Sequence, residues 1–205
     1  IFSCLSVTVL AKTTSLTGKL GPNVTWKLND TGVLTISGTG YMADWESGWS
    51  DEELPMSPLV GTAEVKEVRI VSGIKSIGAW AFNELPNLSI VVIPVTVEKI
   101  GDSAFSYCYI DRIALASTVE EIGDYAFYNC SKVTSIALPS TFKTIANYAF
   151  YKNQLSSLTI PTSVTSIGDY AFANCTELKS ISFIISAKRR ATVVFAVPGL
   201  PVNTI

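Results

Sequence analysis

The 205-residue sequence contains no histidine. That absence removes the commonest general base, the Ser-His and Cys-His nucleophile pairs and the commonest zinc ligand. Basic residues are outnumbered, 15 Lys and Arg against 17 Asp and Glu, so no positive surplus exists on which a nucleic-acid backbone would bind. The one basic cluster, Lys188, Arg189 and Arg190, is a short run of the kind that is ordinarily solvated. There are 4 cysteines and no Cys-x-x-Cys spacing, which argues against a metal centre. Ile1 to Ala11 is apolar but far short of the roughly 20 residues a membrane-spanning helix needs. No glycine-rich phosphate loop and no cluster of carboxylates is present. Neither an enzyme nor a cofactor is expected.

The 48% apolar content excludes a disordered chain, and its order is periodic. Ile-Gly-Asp-Tyr-Ala-Phe occurs verbatim at Ile122 to Phe127 and at Ile167 to Phe172, with looser copies at Ile77 to Phe82, Ile100 to Phe105 and Ile145 to Phe150. The leading isoleucines are spaced by 23, 22, 23 and 22 residues. Self-similarity at such a fixed period is the signature of a solenoid.

Each unit opens with an extended piece: Val65 to Ile70, Leu88 to Ile93, Ile110 to Leu115, Val133 to Leu138, Leu155 to Ile160 and Leu178 to Phe183. The fourth and sixth positions are apolar in all of them and alternation puts both on one face, which must be the interior. Pro94, Pro139 and Pro161 end three of the strands, because proline cannot donate to a ladder. Val97, Val119, Phe142 and Val164 then re-enter the core. Gly78, Gly101, Gly123 and Gly168 are expected to allow a tight bend, and Asp102, Asp124 and Asp169 to cap a helical turn begun by the Ala-Phe pair. The five motif phenylalanines should stack as a column. Cys108, Cys130 and Cys175 lie eight residues after their isoleucine, and Asn153 holds that place in the fourth unit. Interchange of Cys and Asn suggests a buried group that hydrogen-bonds loop backbone.

Before the array, Val24 to Leu28 and Val33 to Ile36 alternate around Asn29-Asp30-Thr31-Gly32, a hairpin that should dock on the first repeat. Trp45 and Trp49 lie in an irregular stretch and are expected to pack the array's N-terminal end closed. Residues 1–11 support two readings, the remnant of a signal peptide with Val9-Leu10-Ala11 as its cleavage site, or a first strand. Without an initiating methionine the chain is expected to be a fragment or a processed product. Residues 184–205 lose the pattern, and are either a degenerate cap or a truncated segment. Five Asn-x-Ser/Thr sequons (Asn23, Asn29, Asn87, Asn129, Asn174) would carry glycans only in an exported eukaryotic chain.

The run LSSLTIPTSVTSIGDYAFANC, Leu155 to Cys175, resembles the BspA-type leucine-rich repeat, and VTWKLNDTGVLTISGTGYM, from Val24, is similar to the hairpin segment that often precedes such repeats. The resemblance runs from about Asn23 to Phe183. It implies a mostly β leucine-rich-repeat solenoid of five to six units of 22–23 residues over 63–183, with an N-terminal β-hairpin module over 12–62. It further implies an extracellular or cell-surface protein associated with adhesion to host matrix proteins or other cells, and no catalytic residue travels with it. Three units depart from the pattern, at Leu85, Ala116 and Ala146.

Function is then expected on the outward strand positions. Glu67, Arg69, Ile90, Val92, Arg112, Ser135, Ser157 and Thr159 form a small, flat column of low charge, suited to lying against a protein or glycan. Ile90 and Val92 between Arg69 and Arg112 are its expected centre. The competing reading is a structural spacer that binds nothing.

Overall fold

The computed structural model describes residues 15–46 and 56–184. The expectations for residues 1–11, for Trp49 and for the segment beyond 184 lie outside the described residues. Fifteen strands form among those described, and no helix.

Three strands precede the array: β1 (Leu16–Lys19), β2 (Val24–Leu28) and β3 (Val33–Gly38). β2 and β3 form the expected antiparallel hairpin, and β1, which the sequence pattern did not suggest, pairs antiparallel with β2. Asn29 organises the hairpin turn, its Oδ1 accepting from the backbone N–H groups of Thr31 and Val33 at 3.1 and 2.8 Å. A hairpin alone is marginal. This one gains its support by pairing β3 in parallel with β5 (Glu67–Ile70), register Leu34 to Val68 and Ile36 to Ile70.

From β5 onward each unit contributes one strand to each of two parallel sheets. The first continues through β7 (Ile90–Val92), β9 (Arg112–Ala114) and β11 (Ile136–Ala137), inside the stretches expected from alternation. β13 (Ser157–Ile160) and β15 (Ser180–Phe183) extend the same row of units, tied to it by Ser156 N–H donating to the Thr134 carbonyl at 3.2 Å. The second sheet was missed by sequence reasoning. It starts with β4 (Gly40–Tyr41) and β6 (Ile74–Ile77), and continues through β8 (Lys99–Ile100), β10 (Glu121–Ile122), β12 (Thr144–Ile145) and β14 (Ser166–Ile167). From β6 on, each of these strands ends on the motif isoleucine, and two residues per strand are too few to leave an alternation signal.

The corner between the sheets is a turn whether or not proline is there. Val97, Phe142 and Val164 N–H donate to the carbonyls of Pro94, Pro139 and Pro161 at 3.1 Å, and Val119 N–H reaches Ala116 at the same distance. Proline is thus optional at a corner the hydrogen bond already closes. Val97, Val119 and Phe142 are fully buried, while Val164 is half-buried.

The motif segment closes each turn by a third hydrogen-bonded ladder. Trp80, Phe82 and Glu84 N–H donate to the carbonyls of Asp102, Ala104 and Ser106 in the next unit at 2.8, 2.9 and 2.9 Å, and the pattern recurs up to Lys152 and Ala173. To aim these groups along the axis, the chain adopts left-handed backbone at two non-glycine residues per unit, as at Tyr125 (φ 57°) and Asn129 (φ 53°). The expected helical turn does not form, since a left-handed residue at every fourth position of the segment is incompatible with an α-helix. The aspartates cap the neighbouring unit instead. Asp44 Oδ1 accepts from Ala79 N–H, Asp102 from Asp124, Asp124 from Asn147, and Asn147 from Asp169, all within 2.8–2.9 Å.

The motif glycines also differ from expectation. None of the four has positive φ; each is needed because a Cβ would strike the unit before it, 2.5 Å from Ala79 N at Gly101 and 2.1 Å from Asp102 Oδ1 at Gly123. A methyl at Gly123 would therefore collide with the very oxygen that caps Asp124.

Inside, Phe82, Phe105, Phe127, Phe150 and Phe172 stack with centroids 5.2, 5.3, 5.5 and 5.5 Å apart. Such ring pairs contribute about 0.5–1.5 kcal/mol beyond the area they bury. The carbonyls of the first four also point inward, and the residue at the cysteine position of the following unit satisfies each. Cys108 Sγ donates to Phe82 O at 3.0 Å, Cys130 to Phe105 and Cys175 to Phe150 at 3.1 Å, and Asn153 Nδ2 to Phe127 at 2.9 Å. Leu85, at this position in the first unit, is fully buried. At the N-terminal end Trp45 is half-buried against the core, and buried Ser57 donates to Ala81 O at 2.7 Å.

Two predictions follow from this interior. Asn153 Oδ1 is buried and has no partner among the described residues. A buried unsatisfied acceptor costs about 1–3 kcal/mol, so Asn153→Cys, which keeps the bond to Phe127 O and deletes the orphan, should raise the melting temperature by about 2–4 °C per kcal/mol recovered. A lower melting temperature in a calorimetric scan would refute the assignment. Burial pushes the Cys108 thiol up to about 12 and Cys175 up to about 11, with Cys130 well above its ordinary value. Native protein at pH 8 should therefore leave these three thiols unmodified by a disulfide reagent until it unfolds. Folded-state values raised above the unfolded ones mean that their contribution is intact below pH 9 and is lost as pH rises from there toward 12. Prompt modification of Cys108, Cys130 or Cys175 in the native protein, read by peptide mapping so that Cys4 is counted separately, would contradict the buried geometry.

Candidate functional site

Parallel stacking brings the candidate residues onto the outer face of the first sheet. One register row runs Thr17, Lys27, Thr35, Arg69, Val92, Ala114, Ala137, and beside it run Glu67, Ile90 and Arg112. Ser135 is exposed one residue before β11, while Ser157 and Thr159 are exposed on β13 opposite Ser180 and Ser182. All eight candidates therefore lie on one face, at successive rungs.

Their chemistry is uneven. Ile90 and Val92 are 52% and 44% exposed, and Val95, just past the strand, is 65% exposed. Ile90 and Val92 make an apolar pair at the middle of the described face, while Val95 lies past it, on the corner turn that Val97 N–H closes on Pro94 O. Arg69 is committed to its neighbour, with Nε and Nη2 both donating to Glu67 Oε1 at 3.1 and 2.6 Å. The Arg69 side chain is largely solvated while Glu67 is mostly covered, and the pair neutralises the charge beside Ile90 and Val92. Arg69 is accordingly less free as a cationic anchor than the outward position alone suggests. For Arg112 only the backbone position in β9 is described.

Sequence reasoning missed two features. The first is a shallow groove over the three-stranded start of the sheet, lined by Thr17, Lys19, Thr25, Lys27, Thr35 and Ser37. Its hydroxyls and two ammonium groups continue the register row beyond Arg69. It depends on β1, whose four residues lie just outside the recognised hairpin. The second is a set of tyrosines on the motif segment. Tyr125, Tyr148 and Tyr170 stack with centroids 4.8 and 5.0 Å apart, and Tyr128 and Tyr151 stack beside them at 5.0 Å. Tyr107 joins the second column tilted against Tyr128 at 5.3 Å. The repetition of Tyr before Ala-Phe was visible in the sequence, but without knowledge of the left-handed backbone its outward direction was not.

The second sheet carries exposed ion pairs between units, Lys75 with Glu98 at 2.7 Å, Lys99 with Glu121 at 3.8 Å, and Lys143 with Glu120. Screening and side-chain entropy leave such pairs about 0–1 kcal/mol each, and this face is a solvated one. Among the described residues no group of three or more Cys, Asp and Glu could hold a metal ion, and no helix is long and apolar enough to cross a membrane.

Comparison with known proteins agrees with this architecture. Six copies of the BspA type leucine-rich repeat region match over residues 59–179. A leucine-rich repeat protein from Eubacterium ventriosum has 31% identity and a TM-score of 0.71, over 83% of this chain and 44% of that one. A leucine rich cell surface protein from Faecalibacterium prausnitzii has 21% identity and a TM-score of 0.59, over 84% and 56% of the two chains. The pneumococcal vaccine antigen PcpA has 20% identity and a TM-score of 0.60, over 88% and 53%. The latter two share the fold alone. The chain spans about half the length of these structures, and a comparison with curated proteins finds no match. The chain belongs to the BspA-type leucine-rich repeat family.

Proposed function

We propose that this repeat array is a binding module of an extracellular or cell-surface protein, and that it meets a protein partner, such as a host matrix or cell-surface protein, through the outer face of its first sheet. The observation that carries the reading is the exposed apolar pair Ile90 and Val92 at the centre of this face, between the mutually paired Glu67 and Arg69 on one side and Arg112 and Ala114 on the other, with alanine, serine and threonine at the rungs beyond. Apolar anchors surrounded by small, near-neutral contacts are the arrangement that concentrates binding energy in an interface. The small flanking residues lose little side-chain entropy on contact.

Surface location is supported by relatives described as a cell surface protein and a vaccine antigen.

The test is binding to immobilised matrix proteins by the native chain and by Ile90→Asp/Val92→Asp. Both positions are outward and half-exposed, so melting temperature should change little. Binding should weaken at least about tenfold, the equivalent of about 1.4 kcal/mol. Equal binding by the two, or binding by neither, would leave the spacer reading in place and remove the adhesion face.

A further inference from the structure

We propose a second binding surface on the motif face, where the tyrosine columns take an uncharged linear polysaccharide of β-1,4-linked pyranoses lying along the solenoid axis. This site is separate from the sheet face and does not depend on it.

The columns are built, not scattered. Tyr125, Tyr148 and Tyr170 are parallel to within 3° and 15°. Tyr128 and Tyr151 are parallel to within 2°, and Tyr125 to Tyr128 and Tyr148 to Tyr151 contacts of 5.5 Å brace one column against the other. Tyr107, Tyr125 and Tyr170 are nonetheless 46%, 39% and 47% exposed. Within a column the ring faces are covered by their neighbours, so a partner meets ring edges and phenol hydroxyls. Desolvation and the neighbouring phenols raise the Tyr148 pKa, consistent with rings held close together. Because stacking already fixes the side chains, a ligand has little left to immobilise.

A second column runs beside the first, made of Asp102, Asp124, Asn147 and Asp169, whose Oδ1 atoms hold the next unit where there is one. In the third, fourth and fifth units each rung therefore offers a phenol hydroxyl, an apolar ring edge and a carboxylate or amide, while the Asp102 rung carries Ser103 in place of tyrosine. The Tyr125, Tyr148 and Tyr170 rings lie 4.8–5.0 Å apart, while in the polar column Asn147 Nδ2 donates to Asp124 Oδ2 at 3.3 Å. The row matches a ligand whose same-face hydroxyls and C–H edges recur at a whole number of rungs; successive pyranoses of an extended β-1,4 chain are turned over, so its same-face groups recur at every second sugar, about two rungs apart. An extended peptide does not match, because its same-face side chains recur every ~6.7 Å and fall out of register by the second rung. The aspartates disfavour sulfated or uronic chains, which leaves neutral and N-acetylated sugars.

The experiment is titration calorimetry of the whole chain with β-1,4-linked hexasaccharides of glucose and of N-acetylglucosamine, against an α-1,4 glucose hexamer and a sulfated hexasaccharide. Native protein should bind at least one β-1,4 hexamer and neither comparator. Tyr125→Ser/Tyr148→Ser imitates the second unit, which carries Ser103 at that position, and should bind at least about tenfold more weakly. Tyr125→Phe/Tyr148→Phe keeps the stack, removes the hydroxyls and should also weaken binding; it decides the matter if the serine variant fails to fold. Ile90→Asp/Val92→Asp should bind the sugar as the native chain does. The proposal is overturned by no native binding to either β-1,4 hexamer, by tighter binding of a comparator, by equal binding of a folded tyrosine variant, or by tyrosine variants that lose a matrix protein and keep the sugar.

Discussion

The inward-facing phenylalanine carbonyl is the constraint on which this solenoid depends. A chain that turns three corners in 22 or 23 residues without a helix cannot pair every backbone group within its own turn, and an unpaired buried carbonyl costs about 1–3 kcal/mol. The solution is to lend each group to the next turn. Phe82, Phe105, Phe127 and Phe150 carbonyls are met by the side chain at the cysteine position one unit later, and the motif N–H groups are met by carbonyls one unit later. Both devices run in one direction, so each turn completes its predecessor. Stability is therefore shared between neighbours, which is the one-dimensional cooperativity expected of repeat arrays.

That dependence also explains the unusual backbone. Two left-handed non-glycine residues per unit would cost roughly 1–2 kcal/mol each in isolation. They persist because each redirects a peptide group onto the axial ladder, where a neighbour satisfies it. The aspartate at the second motif position acts in the same sense, with Asp102 holding Asp124 N–H and Asp124 holding Asn147 N–H. Gly123 is required not by its own conformation but by the nearness of Asp102 Oδ1. One side chain thus sets both a bond and a steric limit.

What the sequence disclosed follows from these physics. The interior was legible: alternation placed Val68, Val91 and Ile113 inward, the phenylalanine column was correct, and Cys with Asn at one position pointed to a carbonyl acceptor. The second sheet was not legible, because strands such as Lys99–Ile100 are too short for a period to show. The aspartate was read as a cap, which it is, but to the wrong element. Composition favours Asp before a helical turn as readily as before a left-handed one, and nothing local distinguishes a bond within a unit from a bond between units. On the candidate face, direction was legible and charge state was not: position alone could not show that Arg69 is held by Glu67. The tyrosines were hidden for a related reason. A repeated Tyr inside a motif whose other residues are structural looks structural too, and only the left-handed backbone turns it outward.

The division between what repeats and what varies then separates two kinds of surface. On the first sheet the outward residues vary along the row, Arg69 and Val92 giving way to Ala114 and Ala137, so any recognition there is aperiodic. On the motif face Tyr125, Tyr148 and Tyr170 repeat because the motif repeats, and recognition there can only be periodic. Changing the number of units would leave the first surface's central patch intact but would lengthen the second, adding one contact per turn. A surface whose affinity scales with its own length is suited to a partner that is itself a polymer, and multivalent contacts of this kind grow in strength without any single strong anchor. One fold can in this way carry a specific site and a cumulative one on different faces, with the buried carbonyl bonds holding both in register.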